Sequence, residues 1–115
     1  MIRIERIYTK TTGDGGYRIL VDRLWPRGVR KENVDLWLKE VAPSTELRKW
    51  YGHEPDKWPD FKKKYFAELK DHQDEVQQIL GLAQTKDVVL LYGSKEEKLN
   101  NAAALKEYLG RRLKK

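Results

Sequence analysis

Residues 18–28 (RILVDRLWPRG) consist of a short apolar run followed by charged and aromatic side chains of the kinds that bind anions. Asp22, Arg23 and Arg27 follow the run directly and surround a Pro-X-Gly turn. Arginine binds phosphate and carboxylate groups in a bidentate geometry and tolerates desolvation better than lysine does. The segment therefore predicts a pocket in which the arginines neutralise a small anion and Trp25 stacks on it or covers it. The same residues also fit an ion pair between Asp22 and an arginine that only holds the turn.

A second apolar run, Val88–Tyr92, ends next to similar chemistry. If it runs parallel to the first, both polar ends lie at one edge of a sheet, where open α/β sheets bind their ligands. Gly93 would let a ligand approach the backbone, and Tyr92 would orient the ligand or take part in catalysis. Ser94–Glu97 has the spacing of a capping box, so we expect a helix whose N–H groups face this edge. The glutamates of this first turn oppose a strongly charged ligand there.

Three further residues are candidates for the same pocket or for catalysis. Ser44 and Arg48 lie one helical turn apart, and Ser44 is interpreted first as a helix cap and second as a hydroxyl that orients the ligand. His53 lies in a turn and is a candidate general acid-base group. His53 and His72 lack the spacing of metal ligands, and no carboxylate cluster joins them, so the sequence predicts no metal site.

The lysine run Lys62–Lys64 and the basic tail Arg111–Lys115 raise the alternative of a nucleic-acid partner. Interleaved lysines and aromatic residues are equally typical of an amphipathic helix with its lysines outward. The tail carries four of the positive charges, and without it the formal net charge falls from +6 to +2, which favours a solvated helix end. The chain has no P-loop or G-x-G-x-x-G motif, and no cofactor is predicted.

Short strands and helices of one domain, residues 1–115, must position these side chains. Ile2–Tyr8 alternates apolar and charged residues and predicts a half-exposed strand. Thr9–Gly16 is rich in turn residues, and the next strand, Tyr17–Asp22, is expected to pair with the first as a hairpin. Residues 29–43 fit either a short helix or a strand, and we favour a strand at 36–41.

The remaining elements are mostly helical. A helix begins after Ser44 and ends at Gly52, and one long helix is expected over Pro55–Leu80 from its apolar spacing. A last helix, from about 95 to 113, is expected to bury Ala102, Leu105, Leu109 and Leu113. The pattern predicts an α/β fold, a single small layered domain whose mixed sheet of three or four strands packs with about four helices.

The composition indicates a folded protein without thiol chemistry. The chain has 39% hydrophobic residues, four tryptophans and six tyrosines, which argues against disorder. It has no cysteine, which excludes a disulfide framework and a zinc-thiolate site. No apolar run approaches the roughly 18 residues of a membrane span, and the first residues lack the apolar core of a signal peptide. We therefore expect a cytoplasmic protein with no membrane partner.

The longer motifs resemble those of the DUF488 family, in its YeaO-like branch. They are RILVDRLWPRG at 18–28, WLKEVAPS at 37–44, LRKWYGH at 47–53, LLY at 90–92 and NNA at 100–102. The resemblance spans nearly the whole chain and implies no established biochemical function. It implies one shared pocket at the positions of Asp22, Arg23, Arg27, Lys39, Ser44, Arg48, Tyr92 and Asn101.

One position departs from the family pattern. Members of the family often have a histidine just before the paired asparagines, where this chain has Leu99. A mechanism that requires a base at that position is therefore not available here. The sequence predicts a protein that binds a small phosphate- or nucleotide-like anion in an arginine-rich pocket. The alternatives are a hydrolase or transferase that uses His53 or Tyr92, and a nucleic-acid-binding or regulatory module.

Overall fold

The computed structural model of the protein describes residues 1–9 and 16–113. The predicted turn at Thr9–Gly16 therefore falls mostly outside the described residues. The regular elements, in chain order, are β1 (Ile2–Arg6), β2 (Tyr17–Leu20), β3 (Leu36–Trp37), α1 (Thr45–Tyr51), α2 (Trp58–Leu69), α3 (Gln73–Thr85), β4 (Val88–Tyr92) and α4 (Asn101–Leu113). Single turns of 3-10 helix lie at Lys31–Asn33, Lys39–Val41, Pro55–Lys57 and Lys70–His72.

The four strands form one sheet in the order β1-β4-β2-β3, and every pairing is parallel. The predictions of a mixed sheet and of a hairpin between the first two strands are therefore wrong. The cause lies in β4, whose five residues are all apolar or aromatic and all buried. A strand buried on both faces takes a central position in a parallel sheet, so β4 separates β1 from β2.

The region that was expected to form one long helix contains two helices. Beyond the end of α2 at Leu69, the backbone leaves the helical conformation at His72 (φ −127°, ψ 42°). Gln73 then donates a hydrogen bond from its side-chain amide to the carbonyl of Leu69 (2.8 Å), which satisfies a carbonyl at the helix end. The apolar spacing already has a gap at these residues. Three helices have 12 or 13 residues, and the prediction of about four holds only if the seven-residue α1 is counted.

The predicted boundaries of α1 and β4 are confirmed, and those of two other elements are wrong. Ser44 caps α1 by accepting a hydrogen bond from the Leu47 amide, and Gly52 ends the helix in the left-handed conformation (φ 53°). The strand expected at 36–41 stops after two residues. The chain then turns in a 3-10 helix at Lys39–Val41, and this turn buries Leu38 and Val41 on the same side.

The last helix begins at Asn101, several residues after the predicted capping box. The Asn100 side chain provides the cap, since its carbonyl oxygen accepts a hydrogen bond from the Ala103 amide (2.8 Å). The predicted burial of the apolar face is confirmed as far as Leu109, but Leu113 is 47% exposed. The residues before Asn101 form a loop, residues 93–100, that is available to shape a site.

The two faces of the sheet are covered by different kinds of structure. The helices pack on the face that contains Ile19 and Leu90. The opposite face, with Leu20, Val89 and Leu91, is covered by the loop of residues 24–34, in which Trp25 is one of the packing residues. Parallel sheets require cover on both faces, and here a loop provides the second cover. No helix within residues 1–9 and 16–113 is long and apolar enough to cross a bilayer.

Candidate functional site

A cleft of about 790 Å³ lies beyond the carboxyl ends of the strands, as the parallel arrangement of β2 and β4 requires. Its walls come from the segment after β2, from α1 and the turn that follows it, and from the loop 93–100. Four described cations and two described carboxylates line it: Arg23, Arg48, Lys49, Lys95, Asp22 and Glu96. The cleft is therefore cationic, as expected for an anion site.

Asp22 connects three elements at the base of the cleft. One carboxylate oxygen accepts a hydrogen bond from the Gly93 amide (2.7 Å), and the other accepts one from the Asn101 side-chain amide (3.0 Å). Asn101 also donates to the carbonyl of Val21 (3.0 Å). Burial raises the pKa of Asp22, while the two hydrogen bonds and the charge of Arg48 act in the opposite direction. A side chain at position 93 would crowd this network, since a Cβ there would lie 3.1 Å from the carboxylate.

Arg23 holds α1 against the end of β2. Its guanidinium donates to the carbonyls of Ala42 (3.1 Å) and Pro43 (3.3 Å), both of which belong to buried residues. A guanidinium has five N–H groups, so this side chain keeps donors for a ligand. The sequence interpretations of Arg23 as an anion ligand and as a structural group are therefore compatible.

The other three cations of the cleft are not held in place by contacts with described residues. The side chains of Arg48, Lys49 and Lys95 form no hydrogen bond or ion pair with any residue in 1–9 or 16–113. The charge of Arg48 acts on Asp22 at longer range and opposes the rise in the pKa of its carboxyl group. Cations that are not already neutralised remain available to an anion that enters from solvent.

The rim of the cleft carries His53 and Glu96. His53 is exposed and has a positive φ of 58°, which is uncommon for a residue other than glycine. Glu96 accepts hydrogen bonds from the amides of Lys98 (2.9 Å) and Leu99 (3.4 Å). These bonds lower the pKa of Glu96, and the nearby charge of Lys98 adds to the effect. Leu99 also lines the cleft.

Two residues of the opening motif lie outside the cleft. Trp25 packs on the loop-covered face of the sheet, donates from its indole N–H to the Val29 carbonyl (2.9 Å), and meets Trp37 edge to face at 5.3 Å. Arg27 is exposed, and its carbonyl accepts a hydrogen bond from the Tyr8 hydroxyl (3.0 Å). The Pro-X-Gly turn directs the chain away from the cleft after Leu24.

Three further predicted pocket residues have other contacts. Ser44 caps α1 and donates from its hydroxyl to Glu68 (2.6 Å). Lys39 is exposed and lies 5.7 Å from the ring of Trp37. Tyr92 is buried and does not line the cleft, and burial raises the pKa of its hydroxyl. The cleft therefore contains Asp22, Arg23, Arg48, Asn101 and His53 from the predicted set.

The lysine run lies on α2, away from the cleft, and part of its charge is neutralised within the chain. Lys62 forms an ion pair with Glu107 (3.0 Å), and Lys64 lies 5.1 Å from the ring of Trp50. In the basic tail, Arg111 pairs with the same Glu107 (2.8 Å). Residues 114–115 fall outside the described chain.

The sequence did not predict Lys49, Lys95 or the apolar wall of the cleft, which consists of Leu24, Tyr51, Phe61 and Leu99. An isolated lysine next to a helix has the same signature as any surface lysine, so its position in a site depends on the tertiary structure. Leu24 offered no signal either, because a single leucine after a charged pair fits a buried or an exposed position equally well. Its 70% exposure is a property of the folded chain.

Asp22→Asn is expected to lower the free energy of unfolding by about 1–3 kcal/mol, the usual cost of leaving a buried donor without a partner. The new amide group would face the N–H of Gly93 or the amide of Asn101, which are both donors. Urea unfolding of both proteins measures the loss. The matched control is Asp35→Asn, because Asp35 is exposed and accepts one backbone hydrogen bond from Arg18 (2.8 Å). Equal losses in the two variants would contradict the assignment.

The raised pKa of Asp22 also predicts how the free energy of unfolding depends on pH. Because the pKa of Asp22 in the folded state is raised above its ordinary 3.8, the folded protein binds this proton more tightly than the unfolded chain. The contribution of the group to stability is then largest below pH 3.8, and it falls as the pH rises through the raised pKa. The difference in unfolding free energy between the parent protein and Asp22→Asn should therefore shrink from acid to neutral pH. A difference that grows with pH would contradict this expectation.

Comparisons with known proteins identify the family. The model of a family described as "Inactive DUF488-N3 subclade" matches residues 1–115. The uncharacterized protein YeaO of Escherichia coli (strain K12) is 41% identical over 110 residues, which cover 94% of this chain and 96% of YeaO. The uncharacterized protein Rv3073c of Mycobacterium tuberculosis (strain ATCC 25618 / H37Rv) is 47% identical over 72 residues, 61% of each chain. No solved structure gave a significant match. The chain therefore belongs to the DUF488 family, as a YeaO-like member.

Proposed function

We propose that the protein binds a small phosphate- or nucleotide-like anion in the cleft and does not convert it. The observation that carries the proposal is the set of three cations, Arg48, Lys49 and Lys95, that line the cleft without a partner among the described residues. Arg23 adds a cation whose position is held by two backbone carbonyls. Arg23 is pre-positioned, so it loses little side-chain order when an anion binds, and the three cations without a partner add charge that is not already neutralised.

Two observations support binding without turnover. The subclade description contains the word inactive, and Leu99 places an alkyl group in the cleft at the position where the family often has a histidine. An alkyl group transfers no proton. The cationic groups of the cleft do not depend on a proton-transfer group at this position, so the cleft can bind an anion without a base there.

The alternative of an enzyme rests on one observation, the presence of His53 at the rim of the same cleft. In that case His53 would exchange a proton with the bound ligand. Release of inorganic phosphate from an organic phosphate by the parent protein, lost in His53→Ala, would favour this alternative. Tyr92 does not contribute, because it is buried outside the cleft.

The binding proposal is tested by a pair of double variants. Arg48→Gln with Lys49→Gln removes two cations of the cleft and is expected to weaken binding of an organic phosphate by at least about tenfold, since a hydrogen bond to a charged group contributes about 1.5–3 kcal/mol. Isothermal titration calorimetry with a nucleoside monophosphate measures the change.

The matched control is Arg27→Gln with Lys39→Gln, which removes the same net charge from exposed positions outside the cleft. This control is expected to bind like the parent protein. Equal losses in both double variants would attribute binding to net charge alone and would overturn the site. Undetectable binding of both the nucleoside monophosphate and inorganic phosphate by the parent protein would overturn the proposed function.

A further inference from the structure

The cleft has an apolar wall that an inorganic anion does not use. Leu24 is 70% exposed, and it faces the same cleft as the buried rings of Tyr51 and Phe61 and the side chain of Leu99. Leu24 and the half-buried Leu99 supply most of the accessible apolar surface, whereas the two rings are almost fully buried, and apolar surface in a concave site is typical of ligand pockets. Cations occupy other parts of the lining, so the cleft is amphipathic.

The side chain of Asn101, at the base of the cleft, has a hydrogen-bond acceptor that no described residue uses. The carbonyl oxygen of the Asn101 side chain accepts no hydrogen bond from any described residue, whereas its amide nitrogen donates to Val21 and Asp22. No buried side-chain oxygen or nitrogen in the described chain lacks a partner. The Asn101 oxygen is therefore reachable from solvent, and Asn101 lines the cleft. It can accept a hydrogen bond from a hydroxyl or amino group of a ligand.

The charges of the cleft match a phosphate monoester better than a polyphosphate. The four cations exceed the two carboxylates by two, and a phosphate monoester carries a charge of about −1.5 to −2 at neutral pH. Glu96 at the rim repels further negative charge. A volume of about 790 Å³ lies within the range of small-molecule sites and far exceeds the space that a phosphate ion needs.

We propose, resting on the proposed function, that the ligand is a nucleoside monophosphate or an organic phosphate of that class. Its phosphate lies among Arg23, Arg48 and Lys49. Its planar or apolar body packs on the wall that Leu24 and Leu99 form with the two rings, and a hydroxyl or amino group donates to Asn101. The ligand then contacts the cations, the apolar wall and Asn101, whereas inorganic phosphate would contact the cations alone.

The test compares four probes by isothermal titration calorimetry on the parent protein: inorganic phosphate, ribose 5-phosphate, adenosine and adenosine monophosphate. Adenosine monophosphate is expected to bind about tenfold or more tightly than the other three, since burial of one large apolar group is worth about one order of magnitude in affinity. If ribose 5-phosphate or inorganic phosphate equals adenosine monophosphate, the apolar wall has no role and the inference is overturned, while the proposed function stands. If none of the anions binds, the proposed function fails.

A variant pair isolates the wall. Leu24→Ser is expected to weaken adenosine monophosphate about fivefold to tenfold and to leave inorganic phosphate unchanged, because only the apolar contact is lost. Leu113→Ser is the matched control, since Leu113 is also exposed (47%) but lies on α4 outside the cleft. Both leucines are exposed, so thermal denaturation should be nearly unchanged in both variants. Equal effects of the two substitutions, or an unchanged affinity of Leu24→Ser for adenosine monophosphate, would overturn the inference.

Discussion

Trp25→Ala is expected to lower the free energy of unfolding by about 2–3 kcal/mol, below the full cost of truncating a core tryptophan because Trp25 is only partly buried. Trp25 packs against the apolar face formed by Leu20, Val89 and Leu91, which no helix covers. The substitution also removes the hydrogen bond to the Val29 carbonyl and the contact with Trp37. Urea unfolding monitored by circular dichroism measures the loss.

The same variant separates the two interpretations of this tryptophan. Because Trp25 does not line the cleft, the fraction of Trp25→Ala that remains folded should bind an organic phosphate with the affinity of the parent protein. Trp25→Phe keeps much of the packing and should recover most of the lost stability. A variant of parental stability that has lost its affinity would show that Trp25 contacts the ligand and would contradict the assignment.

Arg23→Ala is expected to reduce both stability and anion binding. Its loss leaves the carbonyls of Ala42 and Pro43 without their donor, at a cost of about 1–3 kcal/mol for each one that stays buried. It also removes the cation that is held most firmly in the cleft, so affinity for a phosphate monoester should fall by about tenfold or more. Chemical denaturation and calorimetry on the same samples measure the two effects.

Arg48→Gln separates these two roles of Arg23. Arg48 lines the same cleft but makes no hydrogen bond with its side chain in the described chain, so its substitution should reduce affinity with almost no loss of stability. Arg23→Lys should retain part of the affinity but recover little stability, because an ammonium does not reproduce the planar fork that reaches two carbonyls. If Arg23→Ala were as stable as Arg48→Gln, the structural role of Arg23 would be refuted.

Elements with strong local signals could be predicted from the sequence. The continuous apolar run of β4 has no other good interpretation than a buried strand, and Ser44 and Gly52 mark the two ends of α1 through local hydrogen bonds and a left-handed conformation. The pairing of the strands could not be predicted in the same way, because it depends on residues that are distant in the chain. An alternating strand such as Ile2–Arg6 fits a hairpin partner or a parallel partner equally well.

The start of α4 illustrates a competition between two caps. Ser94 and Asn100 both have suitable side chains, and the spacing to Glu97 favoured the first. In the structure the Ser94 hydroxyl accepts a hydrogen bond from the Glu96 amide (3.0 Å) within a loop, and Asn100 is buried as the cap of the helix. The burial of Asn100 decides the competition, and burial depends on the packing of α4 against the sheet.

The residues of the candidate site also divide into those with a local signal in the sequence and those whose position depends on the tertiary structure. The sequence predicts Asp22, Arg23 and Arg48 as pocket residues. Charged residues directly after a strand, or in the first turns of the following helix, are expected near one edge of the sheet. Arg27 was placed with them because it is close in sequence, but the turn after Pro26 separates it from the cleft. Lys49 and Lys95 carry no local signal, and only the convergence of α1 with the loop 93–100 brings them together.

The position of β4 at the centre of the sheet also constrains how the chain folds. β1 and β2 pair with β4 and not with each other, so until residues 88–92 have been synthesised β1 has no partner strand and β2 has only the two-residue strand β3. Contacts between distant parts of a chain form slowly, because loop-closure entropy must be overcome before they contribute. The first half of the chain therefore emerges from the ribosome with no strand pairing beyond the short β2–β3 contact, and its strand edges stay exposed until the last strand completes the sheet.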